Sequence, residues 1–162
     1  MSLSVAERAA LIERYANGPA VLKAALQKIP VAAMQWRPGP GKWSAHEIIV
    51  HCADSESNSH GRIRQLLADA TPVIHGYDQD RWAVELDYHT LPLEPALATT
   101  EAVRANTLPL LRRLSEAQWR KRGTRSDAGP YSMEDWLQTY ADHLEGHARQ
   151  LERNLAGWKE RQ

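Results

Sequence analysis

The sequence predicts an all-α fold, a four-helix bundle, and three observations lead there. Four long stretches carry apolar residues at helical spacing, no run alternates β-branched residues as strands do, and each apolar stripe needs a second helix to bury it. A long connector between the second and third helices, residues 71–92, predicts a topology other than a plain up-and-down array.

The first helix is predicted to open at Ser4, where Glu7 three residues on completes a capping box. Leu11, Ile12, Tyr15, Leu22 and Leu26 form its stripe, and Gly18-Pro19 is expected to kink or interrupt it. Residues 30–43 hold Pro38, Gly39, Pro40 and Gly41, too many breakers for regular structure. Ser44 caps the second helix with Glu47 at its third position, Trp43 and Ile48 occupy the two positions of a hydrophobic staple, and the pattern runs to about Ala68. The connector mixes breakers such as Pro72, Gly76 and Pro92 with Val73, Ile74, Tyr77 and Trp82, and no period holds along it. Connectors of that length are often functional.

Pro95 suits the first turn of the third helix, which carries Leu97, Val103, Leu108, Leu111 and Leu114 with a kink expected at Pro109. Residues 123–130 read as a loop. Ser132 then caps the last helix, whose stripe of Trp136, Tyr140, Leu144, Leu151 and Leu155 reaches Gly157.

With 162 residues and 43% apolar composition, a single domain over 1–162 is expected. Twenty basic and twenty acidic residues balance, so no broad electrostatic footprint for nucleic acid or an anionic membrane is present. Cys52 stands alone and cannot form an internal disulfide. The start MSLSVAERAAL lacks a basic segment followed by an apolar run, and no apolar run approaches about 18 residues. A cytoplasmic protein acting on a small molecule is the expectation.

The polar residues on the helices are more specific. At about 100° per residue, His51, Ser55, Asn58 and Arg62 share a band of about 60° beside the apolar band of Ile48, Cys52, Ile63 and Leu66. His143 and His147, four residues apart, lie about 40° from one another at the edge of the leucine stripe of the last helix. Two imidazoles on one helix face and a third from a facing helix make a three-nitrogen metal site with open positions. The sequence HLEGH at 143–147 is not a zinc-protease motif, because Leu144 stands where that motif needs Glu, and Glu145 lies about 200° round from His143, toward solvent. A single helical His is more often a surface or core residue than a ligand, so His46, His60, His75 and His89, without partners at ligand spacing, are expected at the surface. Cys52 is expected in the core. Asp78 and Asp80 suit a helix cap or the wall of a pocket.

Pro38-Gly39-Pro40-Gly41-Lys42-Trp43-Ser44, then His51-Cys52-Ala53-Asp54-Ser55-Glu56 and Asn58, resemble the G-K-W-S … H-x-A-D-S-x-x-N stretch of the YfiT-like branch of the DinB-like superfamily. Thr71-Pro72, Tyr77-Asp78-Gln79-Asp80-Arg81-Trp82, Tyr140-Ala141-Asp142-His143 and His147 extend the resemblance across most of residues 38–150. It implies a four-helix bundle, a three-histidine site for a divalent metal, zinc or nickel, and a homodimer. Carried over residue by residue, the ligands it implies are His51, His143 and His147. The activities it implies are metal-dependent hydrolysis, or S-transfer of a low-molecular-weight thiol such as bacillithiol to an electrophile. The chain departs from the branch at Leu144-Glu145-Gly146 and Ala148-Arg149-Gln150, where the branch is richer in histidine.

On helical position and this likeness, Asp54, Ser55, Asn58 and Arg62 are candidates to orient ligands or act in catalysis. Tyr77, Asp80 and Trp82 are candidates to contact substrate. The alternative expectation is a non-catalytic protein whose metal is structural.

Overall fold

The computed structural model describes residues 2–161. Six α-helices lie along the described residues: α1 (Val5–Leu26), α2 (Ala45–Ala68), α3 (Gln79–Glu85), α4 (Leu93–Arg112), α5 (Glu116–Trp119) and α6 (Met133–Glu160). α1, α2, α4 and α6 form the bundle. Capping boxes start three of them: the hydroxyls of Ser4, Ser44 and Ser132 accept from the backbone N–H of Glu7, Glu47 and Asp135, whose carboxylates accept in return from the cap residue's own N–H.

Side-chain pairs between helices fix their directions. Arg8 meets Glu134, Arg14 meets Glu145 and Lys28 meets Glu152, so α1 and α6 run parallel. Glu56 meets Arg104 and Arg64 meets Asn106, so α2 and α4 also run parallel. Arg62 with Tyr140 and Glu56 with His143 set α2 antiparallel to α6. Each helix packs on two others, α1 and α2 being diagonal. Because α2 and α4 are parallel neighbours, the chain between them must climb back the length of α2, about 36 Å at 1.5 Å per residue. The long connector is that climb. On the way it forms β1 (Val73–Ile74), the short helix α3 and a 3-10 turn at Tyr88–Thr90.

The core falls into two apolar clusters. One gathers Leu22, Ile48, Ile49, Cys52, Leu144 and Leu151; the other gathers Ile12, Tyr15, Ile63, Leu66, Leu111, Trp136 and Leu137. Along every bundle helix a polar or backbone-exposing residue sits between the two: Gly18 on α1, Glu56 on α2, Arg104 on α4 and His143 on α6. This polar layer crosses the middle of the bundle.

Several expectations are corrected. The predicted loop at 123–130 is a hairpin, β2 (Arg122–Arg125) and β3 (Gly129–Ser132), with β1 added parallel to β2. Strands this short are held by tertiary pairing and leave little periodicity to read. The connector contains α3, capped by the Asp78 side chain accepting from Arg81 N–H. Gly18-Pro19 does not interrupt α1. Pro19 has no N–H for the carbonyl of Tyr15, one turn back, and Arg104 Nη1 donates to that carbonyl instead, at 2.5 Å. Finally, α6 passes Gly157 to Glu160; that glycine makes room for the ring of Trp36, 3.2 Å from where its Cβ would be.

Candidate metal centre

The antiparallel packing of α2 against α6 brings His51 to His143 and His147. The ring centroids lie 5.4 Å apart for His51 and His143, 4.8 Å for His51 and His147, and 4.7 Å for His143 and His147. Each ring offers one nitrogen to a group whose ligand atoms all lie within 4.8 Å of one another. His51 is 2% exposed, and the other two are half-buried. Trp43, at the staple position before α2, covers the His51 ring with centroids 4.5 Å apart and faces His147 at 6.4 Å.

The hydrogen bonds orient the rings. His143 Nδ1 lies 3.1 Å from Oε1 of Glu56, an acceptor, so Nδ1 donates and, in the neutral ring, Nε2 carries the lone pair. His147 Nδ1 donates to Gln150 Oε1 at 2.9 Å, with the same result. His143 Nε2 is 3.4 Å from His51 Nε2, close to the ~3.3 Å separating two ligands on a tetrahedral zinc at about 2.05 Å each. The His51 Nδ1 is buried and finds no hydrogen-bond partner among the described residues.

The electrostatics keep two of the rings, His51 and His147, neutral. Burial first, and then the proximity of His147 and His143, push the His51 imidazole down to about 2. Burial, and then His143, push His147 down to about 4. Burial acts to raise the Glu56 carboxyl, but the hydrogen bond from His143 and the Arg104 guanidinium outweigh it and hold that carboxyl below its ordinary range. Neutral imidazoles are the form that binds metal. The residues therefore fit a divalent cation. Two rings have their Nδ1 atoms committed to Glu56 and Gln150, and the third is buried against them with its Nε2 at 3.4 Å from that of His143. Among the described residues no fourth His, Cys, Asp or Glu joins the group. A structural zinc site is usually closed by four protein ligands, whereas three leave a position for chemistry.

A cavity of about 220 Å³ reaches His147 and is lined by Lys42, Trp43, Gln79, Asp80 and Gln150. A second, of about 370 Å³, shares Lys42, Trp43 and Asp80 and extends to Arg37 and Glu47. The approach to the histidines thus runs between the turn before α2 and the start of α3.

The other sequence candidates divide into three groups. Asp80 lies on the cavity wall. Asp54, Asn58 and Arg62 are instead engaged in holding structure. Asp54 Oδ2 accepts from the Tyr88 hydroxyl at 2.5 Å, and Asn58 donates to the Asp54 carbonyl. Arg62 donates to the Tyr140 hydroxyl at 2.9 Å and to the His75 carbonyl at 2.8 Å. Ser55 is buried beside Tyr77, whose phenol burial pushes up to about 12. Tyr77 stacks at a tilt on Trp82, 4.4 Å between centroids, and Trp82 packs on the core.

Cys52 is fully buried, as expected, and burial raises its thiol well above the usual range. His75 is exposed as expected, but three histidines expected at the surface are half-buried braces. His46 Nε2 lies 2.8 Å from the Leu91 carbonyl, His89 Nε2 lies 2.7 Å from Ser44 Oγ, and His60 Nε2 lies 3.0 Å from Asn106 Oδ1. Glu145 does not face solvent alone: it binds the Arg14 guanidinium through both oxygens, at 3.1 and 2.6 Å.

Glu56, Arg104 and Gln150 were not among the candidates read from the sequence. A signal for the first two was present. Glu56 follows Cys52 by four residues and precedes Ile63 by seven, and Arg104 lies between Leu97 and Leu111 at helical spacing, so each puts a charge on a buried stripe.

A sequence model of the DinB superfamily matches residues 14–151. The chain is 33% identical over 107 residues to a protein of Oceanobacillus iheyensis named "Putative metal-dependent hydrolase", covering 66% of this chain and 62% of that one. A second protein of that organism with the same form of name is 29% identical over 107 residues, 66% of this chain and 61% of its own length. The match thus spans about three fifths of these two relatives. The structure of YfiT from Bacillus subtilis, described as an unusual four-helix bundle topology, superposes with a TM-score of 0.85 at 26% identity, over 96% of this chain and 91% of that one. A mycothiol-dependent maleylpyruvate isomerase shares the fold at a TM-score of 0.70 and 17% identity, over 92% of this chain and 61% of that one.

Proposed function

Because the chain belongs to the DinB superfamily, we propose that it is a metal-dependent enzyme in which His51, His143 and His147 hold a divalent cation, zinc or nickel, through their Nε2 atoms. The observation that carries this reading is the convergence of the three rings, two with Nδ1 already committed to Glu56 and Gln150. When bound, such a cation supplies Lewis acidity that lowers the pKa of a water or thiol placed against it.

The chain's own residues do the rest. Trp43 shields the His51 ring and excludes water from that side. Lys42, Gln79, Asp80 and Gln150 line the approach and orient a small polar substrate. Arg62 and Asp54 keep Tyr77 and Tyr88, and with them the connector wall, against α2.

The reaction we favour is S-transfer, in which a low-molecular-weight thiol is joined to an electrophile. The supporting observation is that Asp54 and Glu56, the acidic residues of α2 near the cluster, are both committed, to Tyr88 and to Arg104 with His143. A thiol with a pKa of about 8.5 ionises without the help of a carboxylate base more readily than water does. Hydrolysis is the second reading, supported by the names of the relatives, with Asp80 on the cavity wall as its base.

The test is a set of assays on zinc- and nickel-loaded protein. A panel of thiols with a chlorinated aromatic electrophile gives thiol-dependent turnover under the first reading. Ester and amide substrates turned over without thiol, and lost in Asp80→Asn, establish the second. Stoichiometric metal with no turnover in either assay overturns both in favour of a structural metal.

A further inference from the structure

We propose that Arg104 is a positioning residue for the metal centre: anchored on backbone carbonyls of two helices, it fixes Glu56, and through Glu56 it fixes the tautomer and orientation of His143. This rests on the metal-site reading above. Arg104 Nε donates to Glu56 Oε2 at 3.0 Å and Nη2 to Oε1 at 2.7 Å, a two-point grip with both side chains essentially without solvent exposure. Nη2 also donates to the Tyr140 carbonyl on α6 at 2.7 Å, Nη1 donates to the Tyr15 carbonyl on α1, and the guanidinium carbon lies 4.2 Å from the centroid of the Tyr15 ring. The Glu56 oxygen so held, Oε1, is the one that accepts from His143 Nδ1.

Each part of this chain of contacts needs the next. A carboxylate free to rotate would let His143 change tautomer or swing, and a planar guanidinium gripping both oxygens removes that freedom. The guanidinium is itself oriented because Pro19 leaves the Tyr15 carbonyl without its helical donor and Gly18 leaves space beside it. A Cβ at Gly18 would overlap Arg104 Nη1 and lie 3.1 Å from Cζ. The Gly18-Pro19 pair is thus a notch that receives Arg104. Stability alone does not account for such a layer, since a buried ion pair is commonly matched or bettered by apolar residues of similar size. Here it divides two apolar clusters and ends on a ring of the histidine cluster.

The test compares Gly18→Ala, Arg104→Lys and Glu56→Gln with Leu111→Ala, a core variant away from the polar layer. Zinc affinity is measured by competition with a chromophoric chelator, and the ring nitrogens of His143 are followed by ¹⁵N NMR in metal-free protein. Outer partners of metal ligands are typically worth about 10- to 100-fold in affinity. We expect losses in that range for Arg104→Lys and Glu56→Gln, a loss of about 10-fold for Gly18→Ala, and wild-type affinity for Leu111→Ala despite its lower melting temperature. Gly18→Ala decides the matter even if the charged variants do not fold, because alanine favours the helix and deletes no polar group of the layer, while its Cβ displaces the Arg104 guanidinium.

Wild-type zinc affinity in Gly18→Ala and in whichever charged variants fold overturns the proposal. So does a metal-free wild type whose His143 carries its proton on Nε2. A wild type with His143 protonated on Nδ1 that takes up no zinc overturns the metal reading instead, so the two failures are distinguishable.

Discussion

The hydroxyl of Tyr88 donates to Asp54 Oδ2 at 2.5 Å, joining the end of the connector to the helix that carries His51. Tyr88 is fully buried, and burial together with the neighbouring carboxylate pushes its phenol pKa upward, so it remains a donor at any physiological pH. Tyr88→Phe keeps the ring and removes the donor. It is expected to cost about 1.5–3 kcal/mol, the range for a hydrogen bond to a charged group, and to speed amide exchange in 75–90 more than in α6. Urea denaturation and hydrogen exchange measure the two effects.

Metal binding should stabilise the fold. A ligand that binds only the native state adds about 2.7 kcal/mol when present at 100 times its dissociation constant. Zinc is therefore expected to raise the urea midpoint of the wild type, and to leave His147→Gln, which retains only two of the three rings, nearly unmoved at the same concentration. Equal shifts in both proteins would place the stabilising ion elsewhere.

The metal-free protein should lose stability in mild acid. In the unfolded chain each imidazole takes a proton below about pH 6.5, whereas folded His147 resists to about 4 and folded His51 to about 2. Between these limits the unfolded state binds more protons, so the stability present above pH 6.5 falls as pH is lowered, at up to about 1.4 kcal/mol per pH unit for each ring down to pH 4 and for His51 alone below it. Urea midpoints between pH 7 and pH 4.5 should therefore drop, and drop less steeply in the His51→Gln, His147→Gln double variant.

Cys52 has no exposed surface, and its thiol is held protonated by burial. An aromatic disulfide reagent should leave it unmodified in the native protein over times at which it reacts fully in urea. Modification at the same rate in both conditions would show that the region of α2 around His51 opens readily.

Much of this was legible in the residues because its signals are local. A serine followed three residues later by Glu announces the starts of α1 and α2, and the i, i+4 spacing of His143 and His147 announces a shared face. What was not legible depends on distant pairing. β1 has two residues and exists because it lies beside β2, some fifty positions later, while α3 is a single seven-residue stretch with a cap and no stripe. The Glu56–Arg104 pair spans 48 positions, and each charge taken alone reads as an oddity on an apolar face. Gly18-Pro19 reads locally as a breaker, and only the neighbouring helix shows that the carbonyl it frees has a donor waiting.

The placing of the three histidines on α2 and α6 bears on how the chain is made. His51 and His143 are separated by 92 positions, and no segment short of α6 brings both together. On the reading proposed for the three histidines, a chain growing from its N-terminus acquires the ability to retain a cation only when α6 docks. Metal capture would then mark the docking of α6, and any product truncated before residue 143 would be born without it.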